Sequence, residues 1–282
     1  MSDLIQQIVS PSVLNHAWNH VRKDRARWNQ ELTMADVEQD LPLHIGRIAD
    51  ELLSGTYRAQ SLRCFEIAKV NGEARTICAP TVRDKFVQRA VLTVLEPIAE
   101  SYFHPCSFGY RPLCTIDMAL AKVREWVRQG YTWLGDADIF QCFDSIAHTA
   151  VLKWVDALTE EPRITALIDD WLNAVPDQYR PYGAGFSLPQ GQVISPFLCN
   201  LYLHEMDMDL EEAGIPFVRF ADDFIVFGSD QATAEQALAT AGASLERLGL
   251  RFNEDKTHVI QSSRKHQFLG KRLPNANVRF IP

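Results

Sequence analysis

The stretch Pro216–Gly228, PFVRFADDFIVFG, places two short apolar runs on either side of Ala221-Asp222-Asp223. Phe, Val and Ile runs broken by a short polar segment read as two strands joined by a tight turn, with both acids at its tip. Adjacent carboxylates repel, and one pKa rises unless a cation neutralises the pair. An exposed acidic pair is also an ordinary solvated turn, so the reading depends on the rest of the chain. Tyr131–Ile139, YTWLGDADI, is a second strand ending in acids, with Asp138 at its end and Asp144 following in DIFQCFD. Three acids at two strand ends, Asp138, Asp222 and Asp223, suit two divalent ions about 3.5–4 Å apart. That arrangement activates a hydroxyl and stabilises a leaving pyrophosphate. Oxygen-only ligands select Mg2+, with Mn2+ as a possible substitute, over zinc.

Around these strands the chain alternates helical and extended patterns. The opening segment reads helical through Ala35–Leu53, with Ile45, Ile48, Ala49, Leu52 and Leu53 at helical spacing before Gly55. Arg63–Ile77 reads as a hairpin turning at Asn71-Gly72. Helices follow at Asp84–Ser101, Thr115–Gly130, Thr149–Leu158, Arg163–Asn173, Ile194–Ala213 and Ala232–Leu248. Tyr179–Leu188 reads as a glycine-punctuated hairpin, Arg251–Phe252 as a strand, and Phe268–Leu273 as a terminal strand pair. Helices mixed with antiparallel strands make the class α+β rather than doubly wound α/β.

At 282 residues, with 46% hydrophobic and 23% charged side chains, the chain is long enough for about two lobes. That composition excludes wholesale disorder, a fibrous repeat and a small disulfide scaffold. The six cysteines form no C-x-x-C pair, which argues against structural zinc and against a disulfide framework. No run approaches the ~18 apolar residues of a membrane span, and the first residues lack a basic region followed by an apolar core. The expectation is a reduced, cytoplasmic protein without membrane attachment. The net charge of −8 is unevenly spread: residues 1–130 hold 16 bases and 15 acids, residues 131–282 hold 12 and 21. Within residues 58–89, seven bases face three acids, and Lys69 and Arg75 flank the Asn71-Gly72 turn, a basic hairpin suited to phosphates. The segment Arg264–Pro282 has five bases and no acid, which suits a nucleic-acid backbone or plain solubility. His16 and His20, spaced i, i+4, lack a third ligand nearby. Gly183 and Gly185 fit a turn, not a phosphate loop.

The order of short motifs resembles a prokaryotic reverse transcriptase of the group II intron type. DADIFQCFDSIAH is similar to that family's motif A, and LPQGQVISPFLCNLYLHEMD to its motif B. FADDFIVFG resembles the Tyr-Ala-Asp-Asp motif C, with Phe220 in place of tyrosine. LRFNEDKT resembles motif D, FLGKRL motif E, and PTVRDKFVQRAV and SFGYRP the finger-region blocks. Each match alone is weak. Their shared order carries the resemblance.

The resemblance implies right-hand polymerase fingers and palm with an antiparallel palm sheet, and a thumb that is missing or vestigial. It divides the chain into residues 1–130, an N-terminal extension and fingers, and residues 131–273, the palm, with 179–200 partly returning to the fingers. A short basic tail, 274–282, remains. It implies Asp138, Asp222 and Asp223 as metal ligands and catalytic residues, with Asp144 supporting its motif. It implies nucleotide contacts from Lys69, Arg75, Ile139, Phe140, Phe143, Gln190, Gly191 and Lys256. Phe143 would be the steric gate against a 2′-hydroxyl, Gly191 would let backbone approach the nucleotide, and Lys256 would reach the pyrophosphate. His148 would orient the loop after motif A, and Arg111 would touch template or serve structure. The implied partners are an RNA template, a DNA or RNA primer, deoxynucleotides, and a further protein or structured RNA replacing the thumb. The implied service is CRISPR spacer acquisition or anti-phage defence. Untemplated or protein-primed DNA synthesis and a non-catalytic RNA-binding scaffold stand as the alternatives.

Overall fold

The computed structural model describes residues 3–68 and 74–276. In chain order the elements begin with α1 (Leu4–Ile8), α2 (Pro11–Val21), α3 (Met34–Gln39) and α4 (Leu41–Ser54). The hairpin β1 (Arg63–Ala68) and β2 (Ala74–Ala79) precedes α5 (Val82–Ala99) and α6 (Ile116–Arg128). Then come β3 (Trp133–Asp138), α7 (Cys142–Ser145), α8 (His148–Thr159), α9 (Pro162–Asn173) and α10 (Ser195–Glu212). The chain closes with β4 (Phe217–Phe220), β5 (Asp223–Gly228), α11 (Gln231–Arg247), β6 (His258–Gln261), β7 (Gln267–Phe268) and β8 (Lys271–Arg272). The antiparallel sheet flanked by helices is the expected α+β class. Among the described residues no helix is long and apolar enough to cross a membrane.

The chain forms two compact units. One comprises residues up to Ser101 together with Phe143–Cys199; the other comprises Tyr102–Cys142 and the residues from Asn200 onward. The first unit is helical. Trp18, Trp28 and Phe86 form a buried aromatic run with ring centroids 6.2 and 5.9 Å apart. Thr81 caps α5, and the buried Asp84 in its first turn accepts from the Tyr57 hydroxyl at 2.5 Å and from the Gln60 amide at 3.0 Å. Burial is the first cause raising the pKa of both Asp84 and Tyr57, and the Tyr57 hydroxyl keeps its role as donor to Asp84. Trp171 of α9 donates its indole N–H to the same Tyr57 oxygen.

The second unit is built on a four-stranded sheet ordered β4-β5-β3-β6, antiparallel throughout. Period-two alternation sorts its side chains onto two faces. Leu134, Val218, Ile225 and Phe227 cluster with Leu120, Val123 and Val127 of α6. On the other face the side chains shrink to admit α11. A Cβ on Gly135 would lie 2.8 Å from Val226 and 3.2 Å from Leu238, and one on Gly228 would lie 2.3 Å from the Ala234 amide.

Several sequence expectations change. The segment read as one helix through Ala35–Leu53 is two, α3 and α4, separated at Asp40, and Gly55 caps the second in left-handed geometry at φ 70°. Tyr179–Leu188 forms no strand pair. Gly183, Gly185 and Ser187 all take positive φ, and Phe186 makes only an isolated antiparallel bridge to Ala147. Arg251–Phe252 gives an isolated bridge between Phe252 and Ile139, while the fourth strand of the sheet is β6, which the sequence reading missed. The Asn71-Gly72 turn and Lys69 lie outside the described residues.

The cysteine expectation is corrected. Cys64 and Cys78 are bridged, and Cys106, Cys114, Cys142 and Cys199 remain thiols. The pair is 14 residues apart in sequence, a spacing with no motif, and strand register alone sets Cys64 opposite Cys78. Thiol titration of the denatured, non-reduced chain should therefore find four thiols, rising to six after reduction. Six thiols before reduction would refute the bridge.

Candidate active site

The central pairing of the sheet runs β3 against β5 with Trp133 opposite Gly228 and Asp138 opposite Asp223. Two carboxylates predicted from separate motifs thus occupy one cross-strand position. Asp222 is next to them because the β4–β5 hairpin pairs Phe220 with Asp223 and leaves only Ala221 and Asp222 in the turn. Ala221 takes a left-handed φ of 61°, a conformation rare for a residue with a Cβ. Gly109 lies against this turn: a Cβ there would stand 2.1 Å from the Ala221 amide nitrogen, so only glycine fits. SFGYRP therefore contributes a backbone platform. Arg111 donates to the carbonyls of His104 and Ser107, inside its own loop.

Asp223 still reaches solvent, yet its pKa is pushed up to about 6. Partial burial is the first cause, followed by the charges of Asp222, Asp138 and Asp136; Lys256 opposes them. The sequence reading passed over Asp136, which alternates onto the same strand face as Asp138 and whose own pKa burial raises. The signal was present in the spacing Asp136-x-Asp138 of a strand.

Segment Arg251–Lys256 anchors the end of β3. The Phe140 amide donates to the Arg251 carbonyl, the Asn253 amide to the Asp138 carbonyl, and Asn253 Nδ2 to Asp138 Oδ2 at 3.0 Å. Lys256 Nζ stands 3.1 Å from the same Oδ2 and is 62% exposed. The Arg251 guanidinium lies over the Phe140 ring at 4.3 Å. Asn253 is a partner of Asp138 that the sequence reading did not single out. Ile139 is buried in its bridge to Phe252.

The remaining predicted residues belong to the first unit. Gln190 and Gly191 lie in a loop tied at each step. The Cys78 amide donates to the Gln190 carbonyl at 2.7 Å, and the Leu188 amide to the Phe143 carbonyl at 2.7 Å. Gln88 accepts from the Val193 amide, and the Ser195 hydroxyl donates to the Pro189 carbonyl. Gly191 takes φ 114°, and a Cβ would stand 3.0 Å from the Cys78 carbonyl oxygen. Phe143 is buried in α7. His148 holds the Tyr179–Leu188 loop, its ring nitrogen 2.9 Å from the Ser187 carbonyl. Arg75 is exposed on β2, opposite Ile67.

Among the described residues no three His, Cys, Asp or Glu side chains are gathered as a ready metal cage. The donor chemistry nonetheless fits a hard divalent ion. The site offers carboxylate oxygens, and burial together with their mutual repulsion raises the pKa of Asp223. The folded chain holds the Asp223 proton more tightly than the unfolded chain does, from 3.8 up to about 6. Stability therefore falls as pH rises through that window and the penalty persists above it. Asp223→Asn should raise the melting temperature of the metal-free protein by a few degrees at pH 7.5 and much less at pH 4. An equal shift at both pH values in calorimetry would contradict the repulsion.

Residues 67–273 match the family described as Reverse transcriptase (RNA-dependent DNA polymerase). The chain is 30% identical over 280 residues to Protein YkfC of Escherichia coli (strain K12), across 85% of this chain and 74% of that protein. It is 34% identical over 232 residues to the Group II intron-encoded protein LtrA of Lactococcus lactis subsp. cremoris, across 82% of this chain but 37% of LtrA. The solved structure of apo telomerase from Candida tropicalis matches with a TM-score of 0.59, over 89% of this chain and 55% of that one. At 15% identity that likeness is one of fold alone. With the motifs in order, the carboxylates of two of them paired across one sheet, and the family matched over most of its length, the chain belongs to the reverse transcriptase family.

Proposed function

We propose that the chain is an RNA-directed DNA polymerase that joins deoxynucleotides to a primer 3′-hydroxyl. The observation that carries this reading is the cross-strand pairing of Asp138 with Asp223, with Asp222 beside them in the turn and repulsion felt at Asp223. Asp138, Asp222 and Asp223 would hold two Mg2+ ions, with Mn2+ as substitute. Such ions lower the pKa of a bound hydroxyl and neutralise charge on phosphate oxygens. The bond formed joins the 3′-oxygen to the α-phosphorus, the α–β bridging bond breaks, and pyrophosphate departs. Lys256, 3.1 Å from Asp138 Oδ2, would exchange that ion pair for the leaving phosphates.

Lys69, Arg75, Ile139, Phe140, Phe143, Gln190 and Gly191 complete the proposed nucleotide contacts. Lys69 and Arg75 supply positive charge, Gly191 a close backbone approach, and Phe143 the ring that rejects a 2′-hydroxyl. The partners are an RNA template, a DNA or RNA primer, and a protein or structured RNA that adds grip on the duplex. The chain would serve CRISPR spacer acquisition or anti-phage defence, and the QG-x-x-x-SP spelling of Gln190–Pro196 leans toward the intron-like and CRISPR-associated branch.

Primer extension on a defined RNA template with Mg2+ tests the reading. Template-matched DNA should appear, and Asp222→Ala should lower the rate by about 100-fold or more, the loss typical of one transition-state charge partner. Product unrelated to the template would favour untemplated or protein-primed synthesis. RNA binding without product in either chain, with Mn2+ also tried, would favour the scaffold. In the same assay Phe143→Ala should admit ribonucleotides while keeping deoxynucleotide use; unchanged discrimination would remove the gate assignment.

A further inference from the structure

Behind the carboxylate turn lies a buried arginine that bonds the backbone of the turn itself. Arg219 is wholly buried and so is its partner Asp207, a residue of α10. Nε donates to Asp207 Oδ1 at 2.7 Å and Nη2 to Oδ2 at 2.5 Å. Nη1 donates to Asn200 Oδ1 at 2.9 Å and to the Ala221 carbonyl at 3.0 Å. Asn200 in turn donates to the Gly109 carbonyl at 2.6 Å, and Gly109 is the residue packed against the Ala221 amide.

Buried ion pairs gain little stability over well-packed apolar residues, so stability alone does not account for this pair. The guanidinium is a rigid planar fork whose donors leave in fixed directions. Here two of those directions lock onto a helix carboxylate. The Nη1 amine bridges to the carbonyl of Ala221, whose left-handed backbone aims Asp222 and Asp223. A strained residue persists where its surroundings over-determine it. Gly109 limits the turn from one side and Arg219 holds its carbonyl, and Asn200 links the two restraints.

We infer that Arg219, clamped by Asp207 and Asn200, is a positioning residue that fixes the Ala221 turn so that Asp222 and Asp223 can bind divalent cations together. This rests on the assignment of those two aspartates as metal ligands. A lysine at 219 keeps the charge opposite Asp207 but cannot serve Asp207, Asn200 and Ala221 in one plane.

The test is Mn2+ titration of the purified full chain without nucleic acid, read by calorimetry and by the Mn2+-induced rise in melting temperature. Arg219→Lys should fold, by circular dichroism, and bind Mn2+ about 10- to 100-fold more weakly, the usual cost of losing an outer-shell partner. Its primer extension should need correspondingly more Mg2+ and recover at excess. Val123→Ala, in the α6 core, should lower the melting temperature and leave Mn2+ affinity unchanged. Should Arg219→Lys fail to fold, Asn200→Ala removes the link to Gly109 while sparing the ion pair, and should weaken Mn2+ in the same direction. Unchanged Mn2+ affinity in the folded variants, or no Mn2+ binding by the unmodified chain, overturns the inference. Mn2+ binding that falls in Arg219→Lys supports it even where no primer is extended, an outcome that would reject only the polymerase reading.

Discussion

The register of β3 against β5 is the constraint on which the candidate site depends. Strand side chains alternate with period two, so a slip of one residue would turn Asp138 to the opposite face from Asp223 and take Leu134 away from α6. Burial of Leu134, Ile225 and Phe227 against α6 therefore fixes, at the far end of the same strands, which carboxylates meet. The small residues Gly135 and Gly228 let α11 approach the opposite face and leave no room for a shifted pairing. Hydrophobic packing thus holds together acids that repel, and the cost is written in the raised pKa of Asp223.

Polar contacts refine what packing fixes coarsely. In the second unit, Asn253 and Lys256 both reach the Oδ2 of Asp138, so the segment after α11 restrains the carboxylate. In the first unit, Gln88 plays a comparable part for the Gln190–Gly191 loop: it accepts from two backbone amides and donates to Gln192. Gln88 is buried and Asn253 half-buried, and polar groups satisfied in such places favour one backbone path over its neighbours. Gly191 and Gly109 serve these paths for the same reason, since each stands where a Cβ would collide with backbone.

The sequence was informative where local chemistry is periodic or punctuated. The hairpin at β1–β2, the helix α5 and the two strands around Ala221-Asp222 followed from alternation, helical spacing and turn residues. It was least informative where an element exists only because a neighbour completes it. His258–Gln261 is short and mixed in polarity, and it becomes a strand because β3 offers an open edge. The glycines of Tyr179–Leu188 mimic a hairpin, yet their positive φ values belong to a loop held by His148.

The sequence alone determined the class of fold and the motif order and marked Asp138, Asp222 and Asp223 as candidate carboxylates, because apolar periodicity and acid placement are local properties. Tertiary structure decided what no local rule reaches. It brought Cys64 against Cys78, set Asp138 opposite Asp223 with Asp136 on the same face, and buried Arg219 under the turn that carries Asp222. Those facts depend on which strand pairs with which and in what register. Burial across the whole sheet selects that register, and no stretch of residues carries it alone.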